Sequence, residues 1–225
     1  MGTRGLVGFK HNGKLRGWYN HYDSYYDGLG LDVINKYFKL SQKQLKDFFI
    51  NRIEFVKQGK GGGDPIYENH RTIWEIDWNK DNIKLEDGTD FITDGLFCEF
   101  AYVFNLDDGT LEIYRGFFKF PQFDGQDGYE SDNEKYYAHM IFKIKRGFHS
   151  KSEIKKVFDK YIEWCNSECD SDKDSTKNPY PEREWIKGNW CENCFLWLDE
   201  GKGIKKNNKL FCSQNCLSSF IANKI

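Results

Sequence analysis

Four cysteines toward the C-terminal end, Cys191, Cys194, Cys212 and Cys216, have the spacing of a metal site: C-x2-C, seventeen intervening residues, then C-x3-C. A C-x2-C knuckle turns two thiolates toward one point. A pair at i and i+4 puts two more on one face of a starting helix, so four soft ligands meet tetrahedrally. The expected cofactor is one structural Zn2+. No histidine follows Cys194, so the expected site is all-cysteine and closed, with no position left for water or substrate, which argues against zinc catalysis. Two disulfides or four buried free thiols are the alternatives. The opening MGTRGLVGF lacks the apolar run of a secretory signal. The expected location is therefore intracellular and reducing, cytoplasm or nucleus, where cysteine pairs are more often metal ligands than disulfides. Of the other cysteines, Cys98 sits in an apolar run, Cys165 on an expected helix face and Cys169 in a polar linker, so these three read as unrelated to the site.

The residues between and after the ligands suit such a site. Phe195 to Leu198 and Lys209 to Phe211 read as short apolar strands, and Gly201 to Asn208 as the turn of a hairpin. Ser213 can cap a helix on which Cys216, Leu217, Phe220 and Ile221 recur at helical spacing. Knuckle, hairpin and helix describe a treble-clef-like module, too small to fold without the free energy of metal binding. Phe211-Cys212-Ser213-Gln214-Asn215-Cys216, with the C-x2-C before it, resembles the FCS or MYM-type zinc fingers. Such fingers occur in chromatin-associated and transcription-related proteins, including late transcription factors of large DNA viruses. The resemblance implies an interaction module.

Charge weighs the two kinds of partner. From Cys191 to Ile225 five lysines face three acids, and four thiolates around Zn2+ bring the module close to neutral. Lys202, Lys205, Lys206 and Lys209 are the candidate nucleic-acid contacts, on a turn that would otherwise be merely solvated; Trp190, Phe195 and Trp197 are the candidate protein contacts. Phosphate binding needs a denser cationic footprint, so protein is slightly preferred. The whole chain, with 33 Lys+Arg against 35 Asp+Glu among 225 residues, shows no global affinity for polyanions. No apolar stretch approaches a membrane span. Aromatic residues reach 17%, enough apolar area for a substantial core.

Residues 166–186 carry six acids, three bases and two prolines with almost no apolar periodicity, and mark an acidic linker between a domain at 1–165 and the finger at 187–225. In the first domain, His11-Asn12-Gly13 predicts a hairpin between strands 3–10 and 14–20. Helices are expected over 29–38 and 41–57, the second with a Ser41/Gln44 capping box, and strands over 73–78, 97–106, 110–118 and 136–145. A last helix starts near Ser150, with Ile154, Val157 and Phe158 facing the core. Hairpins mixed with helices predict an α+β fold with an antiparallel sheet. MGTRGLVGF, Trp18 to Tyr25 with Gly28-Leu29-Gly30, and Glu99 to Asp107 with Leu111 to Tyr114 resemble an uncharacterised family of phage, bacterial and large-virus proteins. That resemblance implies no particular activity.

The polar run Asn20, His21, Asp23, Ser24 and Tyr25 falls where a strand hands over to a helix. His21, Asp23 and Ser24 are candidate catalytic residues of a small hydrolase or amidotransferase; caps and turn bonds explain the same residues structurally. An N-terminal-nucleophile chemistry would need Thr3 at a freed chain start, and removal of Met1 exposes only Gly2. Gly59 to Asp64 lacks the order of a phosphate loop. Asp107, Asp108 and Glu112 have the chemistry of a cation site, but an Asp-Asp-Gly turn already accounts for them. The leading expectation is a zinc-binding interaction protein whose finger recruits protein or nucleic acid in viral transcription or replication. The alternative is the hydrolase with a structural finger.

Overall fold

The computed structural model describes residues 3–56, 76–119, 121–122, 125–146, 151–152, 154–155, 158–159, 203–206, 209–211 and 214–222. The chain divides into two compact units, 1–141 and 142–225. It opens as a hairpin, β1 (Gly5–His11) and β2 (Lys14–Asn20), closed by Asn12 and Gly13 at φ 50° and 70°. Positive φ at both turn positions is what the Asn-Gly pair makes inexpensive. A wide turn, Tyr26–Gly30, leads into α1 (Leu31–Lys39), which buries Val33, Ile34 and Tyr37. The short α2 (Gln42–Lys46) starts on the expected box: Ser41 Oγ accepts from Gln44 N, and Gln44 Oε1 accepts from Ser41 N at 2.9 Å.

The expected helix over 41–57 does not run through. After α2 the chain widens into a π-type turn over Asp47–Arg52, then extends as β3 (Ile53–Val56). The alternating Ile-Glu-Phe-Val pairs in parallel with β4 (Ile83–Glu86), and that ladder outweighs the helical periodicity read from the sequence. The wide turn lets the consecutive Phe48 and Phe49 both be buried. Of the expected strand over 73–78, the described residues 76–78 form a bend and turn.

A short 3-10 turn (Thr89–Thr93) precedes β5 (Phe100–Asn105), β6 (Thr110–Phe118), β7 (Tyr129–Ser131) and β8 (Glu134–Lys145). The six-stranded sheet has the order β2-β1-β5-β6-β8-β7. The architecture is α+β, but the sheet is mixed: β1 runs parallel to β5 from Gly5↔Phe100 to Lys10↔Asn105, where an antiparallel sheet was expected. The excursion through α1, α2, β3 and β4 is long enough to return the chain to the free edge of β1 in the same direction, which no hairpin can do.

Cross-strand partners share a face, so Val7, Phe9, Trp18, Tyr102 and Phe104 line one side of the sheet. Phe49 fills their centre, with ring centroids 5.0 Å from both Phe9 and Phe104 and 5.8 Å from Trp78. Leu6, Cys98, Ala101 and Val103 form the core of the other side, against Phe91 and Ile92. Burial pushes the Cys98 thiol well above its ordinary value, as for an inert core residue.

In the second unit, the rings of Phe142 and Phe158 lie 4.7 Å apart, and Ile154 is buried as the helical reading of that segment expects. The hairpin β9 (Ile204–Lys206) with β10 (Lys209–Phe211) precedes the C-terminal helix Gln214–Ala222. Its first strand lies inside the stretch expected to be turn, and only Asn207 and Asn208 separate the strands in sequence. The linker 166–186 and the expected strand 195–198 lie outside the described residues. Among the described residues no helix is long and apolar enough to cross a membrane.

Phe49→Ala should lower stability by about 3–5 kcal/mol, because the void is walled by other rings that cannot collapse into it. Urea unfolding should show a lower midpoint with an unchanged slope. A loss under about 1 kcal/mol would remove Phe49 from the centre of the packing.

Candidate functional site

Two polar constellations are built on β1, one at each end of its ladder with β5. At the start of β1, Asn20 closes β2 directly opposite Gly5, and the chain then turns through His21 to Tyr25 with Asp23 at φ 48°. Asn20 and Ser24 are wholly buried, Thr3 is 1% exposed, and His21 and Asp23 face solvent. Asn20 Nδ2 donates to Ser24 Oγ at 2.7 Å and to the Tyr22 carbonyl. Tyr102 OH donates to the Ser24 carbonyl at 2.9 Å, and Ser24 N donates to the Thr3 carbonyl at 3.1 Å. A Cβ on Gly5 would stand 2.6 Å from Ser24 Oγ, so only glycine leaves room for that hydroxyl.

The three candidate catalytic residues are therefore divided by burial. Ser24 Oγ is bonded to Asn20 inside the protein, whereas His21 Nδ1 lies 2.8 Å from Tyr19 OH at the surface with its ring edge-on to Tyr22. Asp23 contributes its carbonyl to Leu29 N at 2.8 Å. No His21–Ser24 pair of nucleophile and base is assembled among the described residues. Two buried oxygens in this constellation, Thr3 Oγ1 and Asn20 Oδ1, have no hydrogen-bond partner among them.

At the far end of the ladder lies a cluster that sequence reasoning missed. Glu112 on β6 is 3% exposed and accepts from Lys10 Nζ at 2.6 Å, Asn105 Nδ2 at 2.8 Å and Tyr114 OH at 2.7 Å. Lys10 Nζ also reaches Tyr114 OH at 2.9 Å. Burial works against the Glu112 charge, but the hydrogen bonds from Lys10 and Asn105 with the Lys10 charge outweigh it and hold the carboxyl below its ordinary value. Burial, then the adjacent carboxylate, pushes the Tyr114 phenol up. The only hint in the sequence is a glutamate at an inward position of a strand, and its lysine partner is 102 residues away.

Glu112 is accordingly not joined with Asp107 and Asp108. Asp107 clamps two turns together, accepting from Asn12 N at 2.8 Å and Gly13 N at 3.0 Å, and Asp108 accepts from Thr110 N at 3.1 Å. Backbone hydrogen bonds from Gly13 and Asn12 lower the Asp107 carboxyl. Among the described residues no group of three or more His, Cys, Asp or Glu gathers to hold a metal ion. Cys191, Cys194 and Cys212 lie outside the described residues; Cys216 is on the C-terminal helix, its side chain not among those described. Lys205 and Lys206 are exposed on β9 and Lys209 is half-buried on β10, while Lys202, Trp190, Phe195 and Trp197 lie outside.

Lys10→Met should destabilise the protein by about 3 kcal/mol at about pH 7, since it strands a buried carboxylate. A carboxyl whose folded-state pKa is depressed contributes stability above its unfolded-state value and loses it as pH falls through the folded one. The deficit of the variant should therefore shrink toward about pH 3, as read by urea unfolding at both values. A pH-independent deficit would mean that the lysine acts by packing alone. Comparison with protein families, with curated proteins and with solved structures returns no match to this chain.

Proposed function

We propose that this chain is an intracellular zinc-binding interaction protein, in which a treble-clef-like finger held by Cys191, Cys194, Cys212 and Cys216 recruits a macromolecular partner. The spacing of the four cysteines is the observation behind the proposal. The order of elements supports it: the paired strands Ile204–Lys206 and Lys209–Phe211 end one residue before Cys212 in the sequence, and the helix Gln214–Ala222 includes Cys216. Phe211 and Leu217 are both buried, so strand end and helix each present an inward side at this point. A reducing compartment belongs to the proposal, because thiolate ligands must persist there. The finger resemblance favours a place in viral transcription or replication.

Protein is the preferred partner. Lys206 and Lys209 are paired directly across the hairpin, whereas Lys205 is opposite Leu210 and so belongs to the other face. Splitting the described lysines between two faces weakens the case for a continuous phosphate track. The hydrolase reading draws no support from His21, Asp23 and Ser24, which do not converge.

The purified protein should contain one zinc per chain by elemental analysis, and Cys212→Ser should lose it. Absence of metal from protein prepared under reducing conditions would falsify the finger. Nucleic-acid binding by the zinc-loaded chain should be weak. A steep, linear fall of log affinity with log salt, abolished by charge reversal at Lys202, Lys205, Lys206 and Lys209, would instead make nucleic acid the partner.

A further inference from the structure

We infer that Lys10 and Asn105 become joined by an isopeptide bond that the fold itself makes, with Glu112 as the catalytic residue. The two are cross-strand partners in the parallel ladder between β1 and β5, so their side chains leave the sheet on one face. Glu112 on β6 is opposite Val103, two residues before Asn105, which puts it on that face as well. Its carboxylate bridges the pair: Oε2 accepts from Lys10 Nζ at 2.6 Å, and Oε1 accepts from Asn105 Nδ2 at 2.8 Å. The two oxygens of one carboxylate therefore hold the amine and the carboxamide side by side, on backbones that are already neighbours.

The carbonyl end of the carboxamide is held too. Asn105 Oδ1 accepts from Asp107 N at 3.1 Å and from Asp108 N at 3.3 Å. Two backbone donors on a carbonyl oxygen draw charge from its carbon and stabilise the oxyanion that forms when a nucleophile adds. Tyr114 OH lies 2.9 Å from Lys10 Nζ and donates to Glu112 Oε2 at 2.7 Å, which fixes the tip of the lysine. Glu112 is 3% exposed, and burial favours a proton shift that neutralises both charges of the pair.

Glu112 takes a proton from the Lys10 ammonium, and the neutral amine adds to Asn105 Cγ. A carbon–nitrogen bond forms, and negative charge collects on Oδ1 between the two backbone N–H groups. Glu112 passes its proton to Nδ2, the Cγ–Nδ2 bond breaks, and ammonia departs past the Lys10 side chain, which is 29% exposed. The new nitrogen gives up its extra proton, which leaves with the ammonia as ammonium, and Glu112 ends as the carboxylate it was. No oxidant is consumed, so unlike a disulfide the bond can form and persist in a reducing compartment. It closes a covalent loop of about a hundred residues and ties β1 to β5, the pairing whose closure entropy is large. The reacted chain no longer holds the ion pair, so the pH-dependent deficit of Lys10→Met is read against wild type that has not yet reacted.

Intact mass under denaturing conditions and tryptic mapping of the full chain test this on the wild type, Asn105→Ala and Glu112→Gln. Apart from any loss of Met1, the wild type should be lighter than its sequence requires by one ammonia. Its digest should contain a branched peptide carrying both Lys10 and Asn105, uncut at Lys10. Both variants should keep their full mass. A wild type of full mass overturns the proposal whether or not the variants fold. A missing ammonia that maps elsewhere, such as ring closure at Asn12 before Gly13, overturns it equally. A branched peptide that persists in Glu112→Gln overturns the catalytic role of Glu112.

Discussion

The parallel ladder between β1 and β5 is the constraint on which the first unit depends. It seats the opening strand inside the sheet and joins residues about a hundred positions apart, Gly5 to Phe100 and Lys10 to Asn105. Both polar constellations are products of that pairing. At one end β1 brings Thr3 and Gly5 against the turn that carries Ser24; at the other it brings Lys10 to Asn105, and β6 adds Glu112. Breaking the ladder would strand a buried carboxylate at one end and open an amide and two hydroxyls at the other, so the polar groups raise the cost of any other register.

The sequence made the local elements legible and the long-range ones illegible. Asn12-Gly13 announces its hairpin because the signal is contained in two residues, and Ser41/Gln44 announces a helix start for the same reason. Thr110–Phe118 is the strand expected, to the residue. The stretch after Lys46 misleads because its apolar residues fit a helical stripe as well as they fit a wide turn followed by a strand, and the partner that decides, β4, lies some thirty residues downstream. The parallel pairing has no local mark at all.

The same division holds for the sites. Cysteine spacing is a local pattern and can be read without a structure, so the finger rests on the sequence itself. The hydroxyl and carboxylate constellations are assembled across strands, and the run of polar letters from Asn20 to Tyr25 pointed to the right place with the wrong members. His21 and Asp23, conspicuous in the sequence, are at the surface; Asn20 and Ser24, ordinary in composition, are the ones inside, with Thr3. Burial, which no residue type discloses by itself, separates the two groups.

The position of β1 also sets an order of events during synthesis. The β1–β2 hairpin can form as soon as residue 20 is made, but the inner edge of β1 must wait for β5, about eighty residues later. At ribosomal speeds of roughly 5–20 residues per second that interval lasts several seconds, long compared with hairpin closure in microseconds. Throughout it an apolar strand, Leu6-Val7-Gly8-Phe9, offers open backbone donors and acceptors to any passing chain. Lys10 at its end and the cationic Lys14 and Arg16 across the hairpin provide charge on the nascent ribbon, which restrains edge-to-edge association until β5 arrives.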